Sequence, residues 1–304
     1  MPSTHDYLND KRNENIQIYV NGEFYQRTKA NISVLDSGFL LGDGVWEGIR
    51  LYKKTLIHID DHLSRLYHGA RSIAMEIPFS KESLKLEILK TIEKNDMSSN
   101  VHIRLIVSRG IKKTPYQNPK VTISPPTVVI IPEYKKASED VKRNGITVGT
   151  VKTIRDHRIQ DPKINSLSKH NCISACIEAN NLGVDEGLML DPKGFVSTCN
   201  STNFFIVRNK EVWTSTGQYC LNGVTRKSVI RLCKQYKIPV YEKNFSLEEV
   251  HNSEEVFVTG TFAGIIPVTS VDNIIIGKGM RGSLTKNLQD WYGLDLENLV
   301  LQNE

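Results

Sequence analysis

The sequence predicts an α/β protein of the α+β kind, arranged as two domains. Three observations lead there. A chain of 304 residues is too long for one small core and fits two domains or one large unit. Hydrophobic residues at 39% against 24% charged form an ordinary globular balance, enough to bury a full core without disulfides or metals. The order of elements also changes across a polar stretch at residues 134–140. Antiparallel strand signals with two helices precede it, and short strands around two longer helices follow.

Residues 17–27 (QIYVNGEFYQR) read as strand, Asn-Gly turn and strand, the strongest short hairpin signal. Alternation returns over Ile32–Leu35, and residues 44–52 (GVWEGIRLY) and 55–59 (TLIHI) suggest a further strand pair. Asp60 then opens an amphipathic helix, with Leu63, Leu66, Ala70 and Ile73 at helical spacing and Asp60 and Asp61 at its positive end. Ser80 caps a second helix reaching residue 94. Strands at 101–110 and 126–134 complete a small N-terminal α+β domain over 1–133, and 134–140 is the expected linker. The C-terminal domain, 141–304, shows strands at GITVGTV, EGLMLD, NFFIVR, EVWTS and EVFVTGT, with helices over Ser168–Leu182 and Arg226–Gln235.

A net charge of +5, spread without a dense basic block or aromatic interleaving, argues against a nucleic-acid partner. The polar N-terminus has no apolar leader, and no stretch approaches the ~18 apolar residues of a spanning helix. The five cysteines (Cys172, Cys176, Cys199, Cys220 and Cys233) are odd in number and form no CxxC pair, which suits a reducing compartment. A cytoplasmic protein without a membrane partner is the expectation.

Three segments carry candidate chemistry. In 221–230 (LNGVTRKSVI) a glycine turn leads into a helix at Thr225 and Arg226, where free N–H groups and a hydroxyl form a phosphate cradle. In 256–272 a strand runs into the small polar turn Thr259-Gly260-Thr261 and then an apolar run. In 188–207 a hairpin turns at Pro-Lys-Gly and continues through a polar stretch into the next strand.

Together these segments resemble the class IV aminotransferases, the group of branched-chain aminotransferases, D-amino-acid aminotransferases and aminodeoxychorismate lyase. Gly223-Val224-Thr225-Arg226 matches the family's phosphate-binding segment. Thr259-Gly260-Thr261 with Ile265-Ile266-Pro267-Val268, and Glu178-Ala179 followed by Glu186-Gly187 and Asp191, match further motifs. In the first half GDGVWEGIR (42–50), HIDDHLSRLYHGA (58–70) and HIRLIVSRG (102–110) continue the likeness. The resemblance implies a two-domain fold whose C-terminal domain has a β-barrel-like sheet core. It implies pyridoxal 5'-phosphate as cofactor, an amino acid and a 2-oxo acid as substrates, and a homodimer. It assigns cofactor contacts to Arg65, Thr198, Asn203, Gly223, Val224, Thr225 and Thr261, and substrate contacts to Arg104, Phe262 and Trp46.

Two positions depart from the family pattern. The chemistry needs a lysine amine that attaches to the cofactor and later moves the proton at Cα. Counting back from Glu178-Ala179 puts Asn165, or Ile164 in the branched-chain spacing, at its place. Lys163 and Lys169 flank that position. Lys163, two residues before Asn165, shares its side on an extended strand, and Lys169 stands where branched-chain enzymes carry a tyrosine. Thr198 likewise replaces the glutamate that keeps the pyridine nitrogen protonated, unless Asn200 or another neighbour substitutes. An aminotransferase is the leading expectation; a lyase on the same cofactor and a catalytically silent homologue stay open.

Overall fold

The structure, a computed structural model, describes Thr4 and residues 9–302. The chain divides into two compact units, one of residues 9–136 with 164–169, the other of residues 137–163 and 170–301.

The N-terminal unit is a six-stranded antiparallel sheet with helices. Its elements are β1 (Gln17–Val20), β2 (Glu23–Gln26), α1 (Ser37–Leu41), β3 (Gly44–Tyr52), β4 (Thr55–Leu56), α2 (Ile59–Ser72), α3 (Lys81–Lys94), β5 (Val101–Ser108) and β6 (Thr127–Tyr134). Sheet order is β2-β1-β6-β5-β3-β4. The Asn-Gly hairpin forms as expected, with both Asn21 and Gly22 at positive φ (50° and 101°), the conformation this two-residue turn demands. Ser80 caps α3 through the Ser83 N–H.

In β3 and β5 the side chains alternate. Val45, Glu47, Ile49 and Leu51 face the core with Leu63, Leu66 and Ala70 of α2, while Trp46 and Arg50 of β3 and His102 and Arg104 of β5 lie half-buried on the other face. One expectation fails here. Ile32–Leu35 is not a strand, and Ile32 and Val34 stand 45% and 71% exposed; the segment turns instead, Asp36 N–H donating to Ser33 O and Leu35 N–H to Ser33 Oγ, so its apolar residues find no sheet to face.

The C-terminal unit holds α4 (Glu139–Asn144), β7 (Ile146–Thr150), α5 (His170–Leu182), β8 (Glu186–Leu190), β9 (Val196–Cys199), β10 (Asn203–Arg208), β11 (Glu211–Thr214), α6 (Val224–Gln235), β12 (Val240–Glu242), α7 (Leu247–His251), β13 (Glu255–Gly260), β14 (Gly264–Val271), β15 (Ile274–Ile275) and α8 (Ser283–Leu301). Its nine-stranded mixed sheet runs β12-β11-β10-β13-β14-β7-β8-β9, with β15 beside β14. The sheet curls, because the short turn 200–202 chains its last strand, β9, back to β10. Its core gathers Val148, Leu188, Phe204, Ile206, Val256, Val258 and Ile266.

One boundary moves and one helix is new. Thr259 and Gly260 belong to β13, and the reversal is the three-residue turn 261–263, closed by Gly264 at φ +77°. The 19-residue α8 has no counterpart in the sequence reading. Its first turn is held by Glu255, which accepts from the Leu284 and Thr285 N–H groups at 2.9 and 2.7 Å.

Candidate active site

In the C-terminal unit the loop from β11 to α6 builds a concave set of donors. Gly223 caps α6, and no side chain closes the helix's first N–H groups. Asn203 on β10 holds the approach, its Nδ2 donating to the Leu221 carbonyl at 2.8 Å. A Cβ on Gly223 would stand 2.2 Å from Asn203 Oδ1, so any side chain here would have to displace the asparagine or the start of α6. Val224 and Thr225 follow, 6% and 3% exposed. Asn203 and Thr259 oppose each other directly across the β10–β13 pair, which puts both side chains on one face. Thr259 is 2% exposed and its Oγ1 has no hydrogen-bond partner among the described residues. Such a buried orphan costs about 1–3 kcal/mol. Uncapped helix N–H groups beside an unpaired hydroxyl suit a phosphate.

Behind this cradle, Ser197 donates to the Tyr219 carbonyl and Ser215 to the Ser197 carbonyl, each at 2.7 Å. Arg226 ties α6 back to β11 and β12, donating to Ser215 O at 2.7 Å and Glu242 Oε2 at 2.8 Å. Arg226 is therefore a structural tie. Thr261 opens the 261–263 turn. Phe262 lies in the core at 6% exposure, so a substrate at this turn would meet its backbone rather than its ring.

Thr198 is buried on β9 and donates its single hydroxyl hydrogen to the Thr202 carbonyl at 2.7 Å. As placed, it offers a ring nitrogen no proton. Glu186 lies on β8, the strand paired with β9, and is buried, accepting from Thr202 (2.6 Å), Ser201 (2.8 Å) and Thr4. Burial pushes its carboxyl up, against those three donors. The register opposes Met189, not Leu188, to Thr198, so Glu186 points from the other face of the sheet and does not replace the missing carboxylate. Asn200 does not either: its Oδ1 accepts the Gly187 N–H at 2.8 Å.

In the N-terminal unit a second cluster forms along β3. Glu47, fully buried, receives Arg65 as a fork, Nε and Nη2 each at 2.7 Å, and His62 Nδ1 at 2.7 Å. His62 and Arg65 meet it because residues three apart share a face of α2. Burial alone would raise the Glu47 carboxyl, but Arg65 and the hydrogen bonds from Arg65 and His62 hold it below the ordinary value. Sequence reasoning picked out Arg65 but missed Glu47 and His62; a glutamate on the apolar face of a strand was the available signal.

Segment 164–169 lies along the part of β3 that β4 leaves open. Trp46 N–H donates to Asn165 O and Leu167 N–H to Gly44 O, both at 3.0 Å, and Trp46 Nε1 reaches Ser166 O at 3.1 Å. Asn165 is 5% exposed, and its Oδ1 accepts from Lys169 Nζ at 3.1 Å. Lys169 Nζ also stands 5.2 Å from the Trp46 ring centre, and the Arg104 guanidinium 3.7 Å from it. Desolvation pulls the Arg104 pKa below its usual value, with Glu133 and Glu47 opposing. Lys163 is placed differently. Residues 162–163 form a turn, so the shared-side argument for an extended strand does not hold, and Lys163 is exposed with its N–H on Asp161.

Residues 44–271 match the family model for class IV amino-transferases. The branched-chain-amino-acid aminotransferase-like protein 2 of Arabidopsis thaliana is 37% identical over 92% of this chain, which spans only half of that relative's length. A putative branched-chain-amino-acid aminotransferase of Methanocaldococcus jannaschii is 37% identical over 91% of this chain and 95% of its own. Among solved structures, the T.th. branched-chain amino acid aminotransferase complexed with N-(5'-phosphopyridoxyl)-L-glutamate superimposes with a TM-score of 0.85 at 30% identity, over 94% of both chains. Uncapped donors, an orphaned hydroxyl and a glycine with no room for a side chain are what a phosphorylated cofactor would find here, and the chain belongs to the class IV aminotransferase family.

Proposed function

We propose that this chain is a pyridoxal 5'-phosphate-dependent aminotransferase, moving the amino group of a branched-chain amino acid to a 2-oxo acid. The observation that carries this reading is the cradle at the start of α6, where the orphaned Thr259 hydroxyl lies beside uncapped N–H groups. The likeness to branched-chain aminotransferases over nearly the whole archaeal relative supports the substrate class.

When bound, the cofactor supplies an electron-withdrawing ring that stabilises negative charge at the substrate Cα. The chain's residues do the rest. Val224 and Thr225 with the α6 N–H groups receive the phosphate, Thr261 extends the donor set, and Asn203 keeps Leu221–Gly223 in place. Arg65, its plane set by the fork onto Glu47, is a further phosphate ligand. Trp46 offers an apolar wall to a branched side chain, and Arg104 a cation for the second carboxylate of a dicarboxylic acceptor such as 2-oxoglutarate. The main-chain N–H of Phe262 serves the substrate's own carboxylate.

Thr198 sets the limit on rate. With its hydrogen on Thr202 O, it would give a bound ring's nitrogen neither a proton nor a counter-charge, so transfer would be slower than where a carboxylate stands. That same feature favours one second reading, a lyase on the same cofactor, since elimination demands less of the ring nitrogen.

We place the protein in the cytoplasm as a homodimer; its five cysteines are all unpaired, as a reducing compartment requires. No helix among the described residues is long and apolar enough to cross a membrane. A panel of amino acids against 2-oxo acids tests the reading. Amino transfer supports it, ammonia with a 2-oxo acid and no transfer supports the lyase, and native mass decides the dimer.

A further inference from the structure

We infer that Lys169 is the cofactor-linking amine of this protein, and that Asn165, at the position where the family places its lysine, has become the group that holds that amine in place. The inference rests on the cofactor reading above.

Asn165 sits on a fixed backbone. Its carbonyl accepts the Trp46 N–H at 3.0 Å, and Leu167, two residues on, donates to Gly44 O at 3.0 Å, so the segment is tied to the open edge of β3. The side chain is buried with the residue at 5% exposure. A lysine at this position would carry its nitrogen out along the line that the asparagine side chain begins. Lys169 Nζ stands at the end of that asparagine side chain, 3.1 Å from Asn165 Oδ1. The amine is thus delivered from four residues along the chain to the end of the shortened side chain. Asparagine is a suitable substitute, because its amide oxygen accepts from the amine at either protonation state, whereas a carboxylate would hold the ammonium form.

The surroundings fit the same role. Trp46 gives the amine an aromatic neighbour at 5.2 Å, and its indole is itself pinned to Ser166 O at 3.1 Å. Lys169 is partly buried, whereas Lys163 is exposed in a turn. An exposed, turn-borne lysine pays the full loss of side-chain freedom on attachment; Lys169 has given up part of that freedom already.

The chemical step balances without any further reactant. The neutral Lys169 amine adds to the aldehyde carbon of pyridoxal 5'-phosphate. A carbon–nitrogen double bond forms, the carbon–oxygen bond breaks, and the oxygen leaves as water with both amine hydrogens. Borohydride then gives a hydride to the carbon and solvent a proton to the nitrogen, leaving a stable secondary amine.

The test uses the full chain incubated with pyridoxal 5'-phosphate, reduced with borohydride and digested for peptide mapping. The modified residue is expected to be Lys169. Lys169→Arg should lose the label by about tenfold or more while Lys163→Arg keeps it. Asn165→Ala, which frees the amine without removing it, should slow attachment and lower the labelled fraction. In Asn165→Lys the label should shift to the new lysine. Pyridoxamine 5'-phosphate, which needs no amine from the protein, is titrated in parallel. Binding of this compound with the label on Lys163 overturns the inference and leaves the aminotransferase reading standing. Binding with no labelled lysine overturns the inference and the transfer chemistry together. Failure to bind it at all overturns the cofactor reading itself.

Discussion

Glu47→Gln is the substitution whose effect the structure specifies most closely. Glu47 is fully buried, and its two oxygens take three contacts of 2.7 Å, two from the Arg65 fork and one from His62. Glutamine keeps the shape but loses the charge, and it turns an amide N–H₂ toward one arm of the guanidinium. Arg65, with only 16% of its side chain exposed, then loses the carboxylate charge that its fork is built on. Breaking a buried pair on one side costs about 3–5 kcal/mol. The lower end is expected here, because one oxygen still accepts and the outer edge of Arg65 touches water. About 3 kcal/mol corresponds to a fall of roughly 10 °C in the melting temperature of a unit of this size. Differential scanning calorimetry of Glu47→Gln, Arg65→Met and the double variant measures it. The double variant should recover part of the loss, because removing the guanidinium as well leaves no uncompensated buried charge beside the Glu47→Gln side chain. A single-variant loss under about 1 kcal/mol, or additive losses with no recovery, would refute the account of this cluster.

Other expectations follow from the same geometry. Thr259→Val replaces an unpaired buried hydroxyl with a methyl of the same shape, so the ligand-free protein should gain about 1 kcal/mol while pyridoxal phosphate binds about tenfold more weakly; thermal melts with and without ligand read both. Gly223→Ala must move a Cβ away from Asn203 Oδ1, shifting the start of α6, and should weaken phosphate binding by about tenfold without abolishing the fold. Stability should respond to pH in opposite senses at two carboxylates. The Glu47 carboxyl is lowered in the folded state, so its contribution is present above the ordinary value of 4.5 and is lost as pH falls through the lowered one. The Glu186 carboxyl is raised, so stability declines as pH rises from 4.5 through the raised value, and Glu186→Gln should flatten that limb of a urea-midpoint profile.

Much of the fold was legible because its signals are local. The Asn21-Gly22 turn, the Ser80 cap and the spacing of Leu63, Leu66 and Ala70 each declare an element within a few residues. What escaped depends on partners far along the chain. The Ile32–Leu35 alternation resembles a strand but folds into a turn held by Ser33. Helix α8 carries Leu288, Tyr292, Leu296 and Val300 at helical spacing, but its start is capped by Glu255, about thirty residues earlier, instead of by an adjacent side chain. Asn203 and the Gly223-Val224-Thr225 segment were readable as candidates from the motif, and the distances add that Asn203 holds the Leu221 carbonyl and that the Thr259 hydroxyl is orphaned. The amine was not readable. Lys163 and Lys169 flank Asn165 on either side, and only the bridge between residue 164–169 backbone and β3 shows which one is turned back onto the asparagine. Likewise the threonine at 198 was visible, but not that its hydrogen is already given to Thr202 O.

The central claim is that the chain holds pyridoxal phosphate and transfers amino groups with it. Incubating the loaded protein with ¹⁵N-leucine and 2-oxoglutarate, and following the label by mass spectrometry, tests it directly. The account predicts ¹⁵N-glutamate formed in step with the 2-oxo acid of leucine, over many turnovers per chain. Label retained in leucine, or released as ammonia while the cofactor remains bound, would contradict it.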